Sequence, residues 1–187
     1  MLKRVLDLII GIIAALIFAV PYLVITLSVK ISSPGPVLYW SRRAGSHGTF
    51  FMMPKFRTMQ VNTPEVASDK LGDAKSYLIP VGSFLRRTSL DELPQLYSVM
   101  RGDMSIVGPR PALHTQVELI AGRAIQGIDK LQPGVTGWAQ INGRDEITLQ
   151  EKLQFDREYL ERQSFYFDLK IIFLTVIAVV RSRGITH

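Results

Sequence analysis

Between Leu8 and Val29 no charged residue interrupts a run of mostly apolar positions. A run of that length can cross a bilayer core of about 30 Å. Pro21 changes the reading, because its ring removes a backbone donor and collides with the preceding turn, so a helix is expected to kink or break there. At about 1.5 Å per residue, the limb from Leu8 to Val20 is roughly 20 Å long and that from Pro21 to Val29 roughly 13 Å. Neither limb crosses alone, which favours a bent, re-entrant hairpin that enters and leaves by one membrane face. Lys3 and Arg4 precede the run and Lys30, Arg42 and Arg43 follow it, so both flanks carry the positive charge typical of the cytoplasmic side. An ordinary kinked transmembrane helix is the alternative that the proline leaves open.

The pattern changes at Ser32-Ser33-Pro34-Gly35-Pro36, a rigid turn that ends the apolar element. Residues 37–40 and 49–53 read as short strands around Gly45-Ser46-His47-Gly48, a β-hairpin. Residues 62–77 are polar, contain Pro64 and Gly72, and read as a loop. Leu93, Leu96, Tyr97 and Met100 recur at helical spacing and predict a buried stripe. Helices are expected over 113–125 and over 149–161, the latter opened by a Thr148-x-x-Glu151 capping box. Residues 165–180 are apolar apart from Asp168 and Lys170, and the uncharged core from Ile171 to Val180 is too short to span. With Arg181 and Arg183 as a basic end, this segment reads as a helix lying at the membrane interface, or else as the core helix of a soluble domain. The fold class is α+β and mainly helical. It divides into a membrane helix–break–helix over 1–31 and, over 32–187, a domain with interfacial helices and a small β-hairpin.

Composition narrows the partners. The chain has 187 residues, 47% of them hydrophobic, with a mean hydropathy of +0.18, which is high for a soluble protein and fits one domain plus a membrane element. A net charge of +6 suits phosphorylated substrates or anionic lipid. Nucleic acid is disfavoured, because no finger, basic zipper or arginine-rich tract is present. With no cysteine there is no thiol chemistry or disulfide, and His47, His114 and His187 show no ligand spacing. Any metal should therefore be a hard ion held by oxygen.

Candidate chemistry centres on Ser89-Leu90-Asp91-Glu92-Leu93-Pro94-Gln95-Leu96. Two adjacent carboxylates lie among Lys55, Arg57, Arg86, Arg87, Arg101 and Arg110, as expected of a centre whose substrate brings negative charge. Ser89-x-x-Glu92 also fits a capping box, with Asp91 in the first turn of a helix that would keep it ionised. Consecutive residues on a helix point about 100° apart. They do not flank a sugar ring as glycosidase carboxylates do across roughly 5–10 Å. A division of labour fits better: one carboxylate attacks phosphorus and the other holds Mg²⁺.

Four blocks in order carry a resemblance. They are Lys55-Phe56-Arg57-Thr58-Met59, Ser89 to Leu96, Gly102-Asp103-Met104-Ser105-Ile106-Val107-Gly108-Pro109-Arg110-Pro111, and Pro133-Gly134-Val135-Thr136-Gly137-Trp138-Ala139-Gln140-Ile141-Asn142-Gly143-Arg144. Together with Asp156 and Asp168 they cover nearly the whole chain, which resembles the bacterial sugar transferases, the monotopic phosphoglycosyl transferases that begin assembly of lipid-linked glycans such as lipopolysaccharide and capsule. The resemblance implies transfer of a sugar 1-phosphate from a UDP-sugar to polyprenyl (undecaprenyl) phosphate at the cytoplasmic face of the bacterial inner membrane. It implies Asp91 as the nucleophile, with UMP released and a phosphosugar left on the enzyme, and Glu92 as the Mg²⁺ carboxylate. Lys55, Arg86 and Arg110 are candidates for phosphate neutralisation and Arg144 for nucleotide contact, while Asp156 and Asp168 match acidic positions that bind substrate or orient a basic residue. It also implies the re-entrant hairpin bent at Pro21, although Val20 stands where serine is frequent in the family. Two other classes compete: a membrane-associated phosphohydrolase using Asp91, and a non-catalytic membrane scaffold. The sugar, the polyprenol and homo-oligomerisation are not legible.

Overall fold

The computed structural model describes residues 2–64, 74–143 and 147–180. The fold is mainly helical, with one antiparallel hairpin. Helices α1 (Leu2–Ile17) and α2 (Ala19–Ser32) meet at a bend of 62°. The break falls at Phe18, three residues before the proline that causes it. A helical proline ring collides with the carbonyl four residues earlier, here that of Ile17, so the helix restarts upstream. Pro21 then lies in the first turn of α2, where a missing N–H costs nothing. No single helix among the described residues is long and apolar enough to cross a membrane; the bent pair together has the length and composition. Much of its surface is apolar and exposed, including Ile12, Leu16, Ile17, Val20, Leu27 and Ile31.

Strands β1 (Leu38–Ala44) and β2 (Phe50–Phe56) form the expected hairpin, each longer than the sequence suggested, with Tyr39 opposite Lys55 and Arg43 opposite Phe51. Side chains alternate across a strand. Met53 therefore joins a core with Val99, Met104, Val107, Tyr159 and Ile171, while Phe56 joins a second core with Ile25, Val29, Ile79 and Leu85. The second core packs α2 against the hairpin and against α3 (Gly82–Arg87).

A single 3₁₀ turn, Leu90–Glu92, leads into α4 (Gln95–Arg101). The predicted stripe holds only in part: Leu93 and Leu96 are partly buried and pack against the two cores, whereas Tyr97 and Met100 are exposed, Tyr97 meets Trp40 edge-on, and Gln95, Ser98 and Val99 take the buried positions. The helix spans only two turns, and its register follows from the preceding turn rather than from the apolar residues.

Beyond α4, β3 (Ser105–Val107) pairs in parallel with β4 (Gly134–Thr136). Helix α5 (Val117–Ile125) begins later than expected. Helices α6 (Trp138–Ile141), α7 (Leu149–Arg162) and α8 (Phe165–Val180) complete the chain, with the Thr148–Glu151 capping box formed in both directions. The β3–β4 crossing brings Gly108 so close to the facing chain that a Cβ on it would overlap the Gln132 carbonyl oxygen. Backbone bonds Gly108 N–H to Thr136 O and Gly134 N–H to Pro109 O fasten the loop that carries Arg110.

Candidate active site

Four segments supply the candidate residues: the end of β2 (Lys55), α3 (Arg86), the Leu90–Glu92 turn, and the loop after β3 (Arg110). Lys55 Nζ and Arg110 Nη2 both donate to Glu92 Oε1, each at 2.8 Å. Asp91, 8% exposed, lies in the charge field of Lys55, Glu92, Arg86 and Arg110. Arg86 donates through Nε to Thr58 Oγ1 at 3.1 Å, which ties it to the end of the Lys55-Phe56-Arg57-Thr58-Met59 block. The turn is entered through Ser89 in the left-handed region (φ 56°), a conformation that costs about 1 kcal/mol or more for a non-glycine residue.

The capping-box expectation is not met: Ser89 makes no side-chain cap, and its left-handed backbone is not the extended conformation that capping residues adopt. Nor is Asp91 kept ionised by a helix end. Burial pushes its carboxyl above the usual range, Glu92 adds to this, and Lys55, Arg86 and Arg110 oppose it. Burial likewise lowers the Lys55 ammonium, against the pull of Glu92 and with repulsion from Arg110 and Arg43. Burial also lowers Arg86, opposed by Asp91.

The other two predicted acids engage different partners. Asp156 Oδ2 accepts from Arg123 Nε (2.9 Å) and Nη2 (2.7 Å), and Arg123 Nη1 donates to the Arg110 carbonyl at 2.9 Å. Asp156 thus holds the backbone of a candidate phosphate ligand through Arg123. Burial raises its carboxyl against that pairing. Asp168 accepts from Lys3 Nζ and from Tyr159 Oη, each at 2.7 Å, in a buried network at the start of α1. Burial and the Asp168 bond push the Tyr159 phenol up and keep it a donor. Arg144 lies outside the described residues.

Sequence reasoning missed Arg123, whose only signal is a basic position on the inner side of α5. It also missed the task of Arg57, which is buried and donates to Pro36 O (2.6 Å), Ser33 Oγ (3.0 Å) and Ser33 O (2.9 Å). That guanidinium clamps the Ser-Pro-Gly-Pro turn at the end of α2 onto the strand bearing Lys55.

The sequence profile described as "Bacterial sugar transferase" matches residues 1–182. The chain belongs to the bacterial sugar transferase family. Among its relatives, the chain is 43% identical over 185 residues to the UDP-glucose:undecaprenyl-phosphate glucose-1-phosphate transferase of Escherichia coli K12, covering 94% of this chain and 39% of the relative. It is 38% identical over 200 residues to the exopolysaccharide production protein ExoY of Rhizobium meliloti, covering 98% and 88%. It is 37% identical over 202 residues to the undecaprenyl-phosphate galactose phosphotransferase of Salmonella typhimurium, covering 98% and 41%. The chain therefore spans about two fifths of the length of the Escherichia coli and Salmonella relatives and most of ExoY.

Among the described residues no three His, Cys, Asp or Glu side chains group as a metal cage. Glu92, whose Oε1 accepts from Lys55 and Arg110, is the carboxylate that could hold a Mg²⁺ ion, which takes one or two carboxylates and fills its shell with phosphate oxygens and water.

Proposed function

We propose that this chain transfers a sugar 1-phosphate from a UDP-sugar to polyprenyl phosphate through a covalent phosphosugar on Asp91. The observation that carries the reading is the convergence of Lys55 and Arg110 on Glu92 beside the buried Asp91, in a chain of this family. An Asp91 oxygen attacks the phosphorus that bears the sugar, and the phosphoanhydride bond breaks. UMP departs with the bonding electrons, and an acyl phosphate diester remains. A phosphate oxygen of the polyprenyl acceptor then attacks the same phosphorus and breaks the Asp91–phosphorus bond. The product is a polyprenyl diphosphate sugar, and the carboxylate is restored. One phosphoanhydride is broken and one formed, so no further energy source is needed.

Lys55, Arg86 and Arg110 neutralise the diphosphate, with the guanidinium groups suited to bidentate contact. Substrate phosphate entering beside Glu92 draws Lys55 and Arg110 from carboxylate to phosphate. Mg²⁺, held by Glu92 with phosphate oxygens, would supply charge stabilisation at the reacting phosphoryl group. Residues 1–31 form the re-entrant membrane element and 32–187 the catalytic region at the cytoplasmic face. Supporting this topology are the bend at Phe18, the exposed apolar surface of both helices, and the attachment of both ends of the pair to the same catalytic region, through Lys3 and through Arg57.

The test is intact-protein mass of purified chain in nanodiscs with UDP-sugars alone. Gain of one phosphosugar with a single equivalent of UMP supports the transferase. Sustained sugar phosphate release without acceptor means a phosphohydrolase, and full function after Asp91→Asn means a scaffold. For topology, Leu2→Cys in this cysteine-free chain should resist a membrane-impermeant thiol reagent in intact spheroplasts and react after lysis; labelling before lysis means a true span.

A further inference from the structure

Strand β3 is paired on one side only. Among the described residues its second edge meets no strand, and side chains of α1 and α7 take that place. The Ile106 N–H and the Ser105 hydroxyl both donate to Asp7 Oδ1 at 2.9 Å, and the Val107 carbonyl accepts from Lys3 Nζ at 2.9 Å and from Tyr159 Oη at 3.2 Å. Lys3 and Asp7 are four residues apart, so they share one face of α1. On the adjoining face Arg4 donates to Val99 O at 2.6 Å and Met100 O at 2.8 Å, the last carbonyls of α4, where a cation also meets the negative end of the helix.

Each of these partners lies a short, stiff distance from the candidate site. Two residues separate Val107 from Arg110, one of them Pro109, whose carbonyl accepts from the Gly134 N–H. Helix α4 has seven residues and follows the Asp91–Glu92 turn through Pro94. The ion pair Arg110–Glu92 thus joins two segments that are both braced by the first two turns of α1. We infer that Asp7 and Arg4 are positioning residues, which hold the β3 loop and α4 at the spacing that sets Arg110 against Glu92. The function of that spacing rests on the reading of Arg110 as a phosphate ligand. Asp7 is 1% exposed and its Oδ2 has no partner among the described residues, so burying this carboxylate is costly, and both donors on Oδ1 come from β3. A further consequence is that a movement of α1 in its surroundings reaches the site through two separate arms.

The test uses the full chain in nanodiscs, with Asp7→Ala and, at the more exposed contact, Arg4→Ala, which removes one arm and leaves the buried one intact. Hydrogen exchange should quicken across 89–110 in each variant and stay unchanged in the 38–56 hairpin. Misplacing catalytic groups by about 1 Å costs roughly 100-fold, so kcat/KM for UMP release per folded molecule should fall about 10- to 100-fold. The loss should be strongly non-additive with Arg110→Lys and additive with Arg86→Lys, because only the former shares the braced segment. Additivity in both backgrounds, or an activity loss equal to the loss of folded protein, would overturn the inference, as would exchange that rises equally in the hairpin or not at all in 89–110. Exchange needs no substrate, so it decides the bracing even if wild-type chain releases no UMP, an outcome that would sink the proposed reaction instead.

Discussion

Two acid–base clusters in this molecule use the same residue types to opposite ends. Around Asp91 and Glu92, three cations from three different elements face two carboxylates. Around Asp7 and Asp168, one lysine faces two carboxylates, and neutral donors make up the difference: the Ser105 and Tyr159 hydroxyls and the Ile106 N–H. Among the described residues the first cluster keeps an excess of positive charge, and its Arg110 side chain is 30% exposed, which on the proposed reading would let an arriving diphosphate compete with Glu92 for it. The second holds no excess, and its Asp168 side chain is 3% exposed. Charge surplus with partial exposure marks a place for an anion. Charge matched by neutral donors marks a joint.

The sharpest way to break this contrast is Asp91→Asn. Adduct formation should vanish and turnover should fall by about 10³-fold or more, as for other covalent nucleophiles; an adduct on the variant would reject the nucleophile. Its stability should move the other way. Because the folded chain binds a proton at Asp91 more tightly than the unfolded chain does, stability falls as pH rises from the ordinary aspartate range through the raised folded value. Above that window the carboxamide variant should melt at a higher temperature than wild type, and a lower Tm would mean that the carboxylate is a structural partner.

Next in size, Asp168→Ala should cost about 3 kcal/mol of stability, as expected when a buried pair loses one member. Denaturant unfolding measures this, while kcat per folded molecule should stay within a few-fold. A collapse of kcat at wild-type stability would return Asp168 to the substrate.

Arg110→Lys should lower kcat/KM by about 10-fold, since a point charge replaces a guanidinium that can bind two oxygens. Lys3→Arg, which keeps the charge at the second cluster, should change it far less. Equal effects would erase the distinction between the clusters.

The smallest effect is a shift in pH profile. The acid limb of UMP release should lie above the ordinary aspartate range. It should move lower in Glu92→Gln, which removes a like charge, and higher in Lys55→Met, which removes an opposing one. A higher limb in Glu92→Gln or a lower one in Lys55→Met would show that the limb belongs to another group.

What was legible in the sequence was local. The apolar run and its proline, the hairpin around Gly45–Gly48, the Thr148–Glu151 box and helix 165–180 each depend on neighbours within a few residues, and each is present. Lys55, Arg86, Arg110, Asp91 and Glu92 were found together because their motifs were read as a set. The β3–β4 pair was invisible, because three-residue strands carry no periodic signal. Lys3 and Arg4 looked like flanking charge, and Asp7 carried no signal at all. Their partners lie about a hundred residues or more downstream, where no window reaches. The α4 stripe failed in part for a related reason: in two turns, two inward and two outward residues fit the helical period equally well.

The long separations bear on how the molecule is made. Asp7 waits for Ser105, 98 residues later, and Lys3 for Asp168, 165 residues later. At synthesis rates of about 5–20 residues per second, Lys3 spends roughly 8–30 s without its carboxylate. During that interval the start of α1 lacks its ion-pair partner, and on the proposed topology the exposed apolar surface of the bent pair would meet lipid before the rest of the chain is made. The newest helix then closes on the oldest. A ribosome halted before Asp168 would release a chain whose α1 still lacks the ion pair that closes the fold.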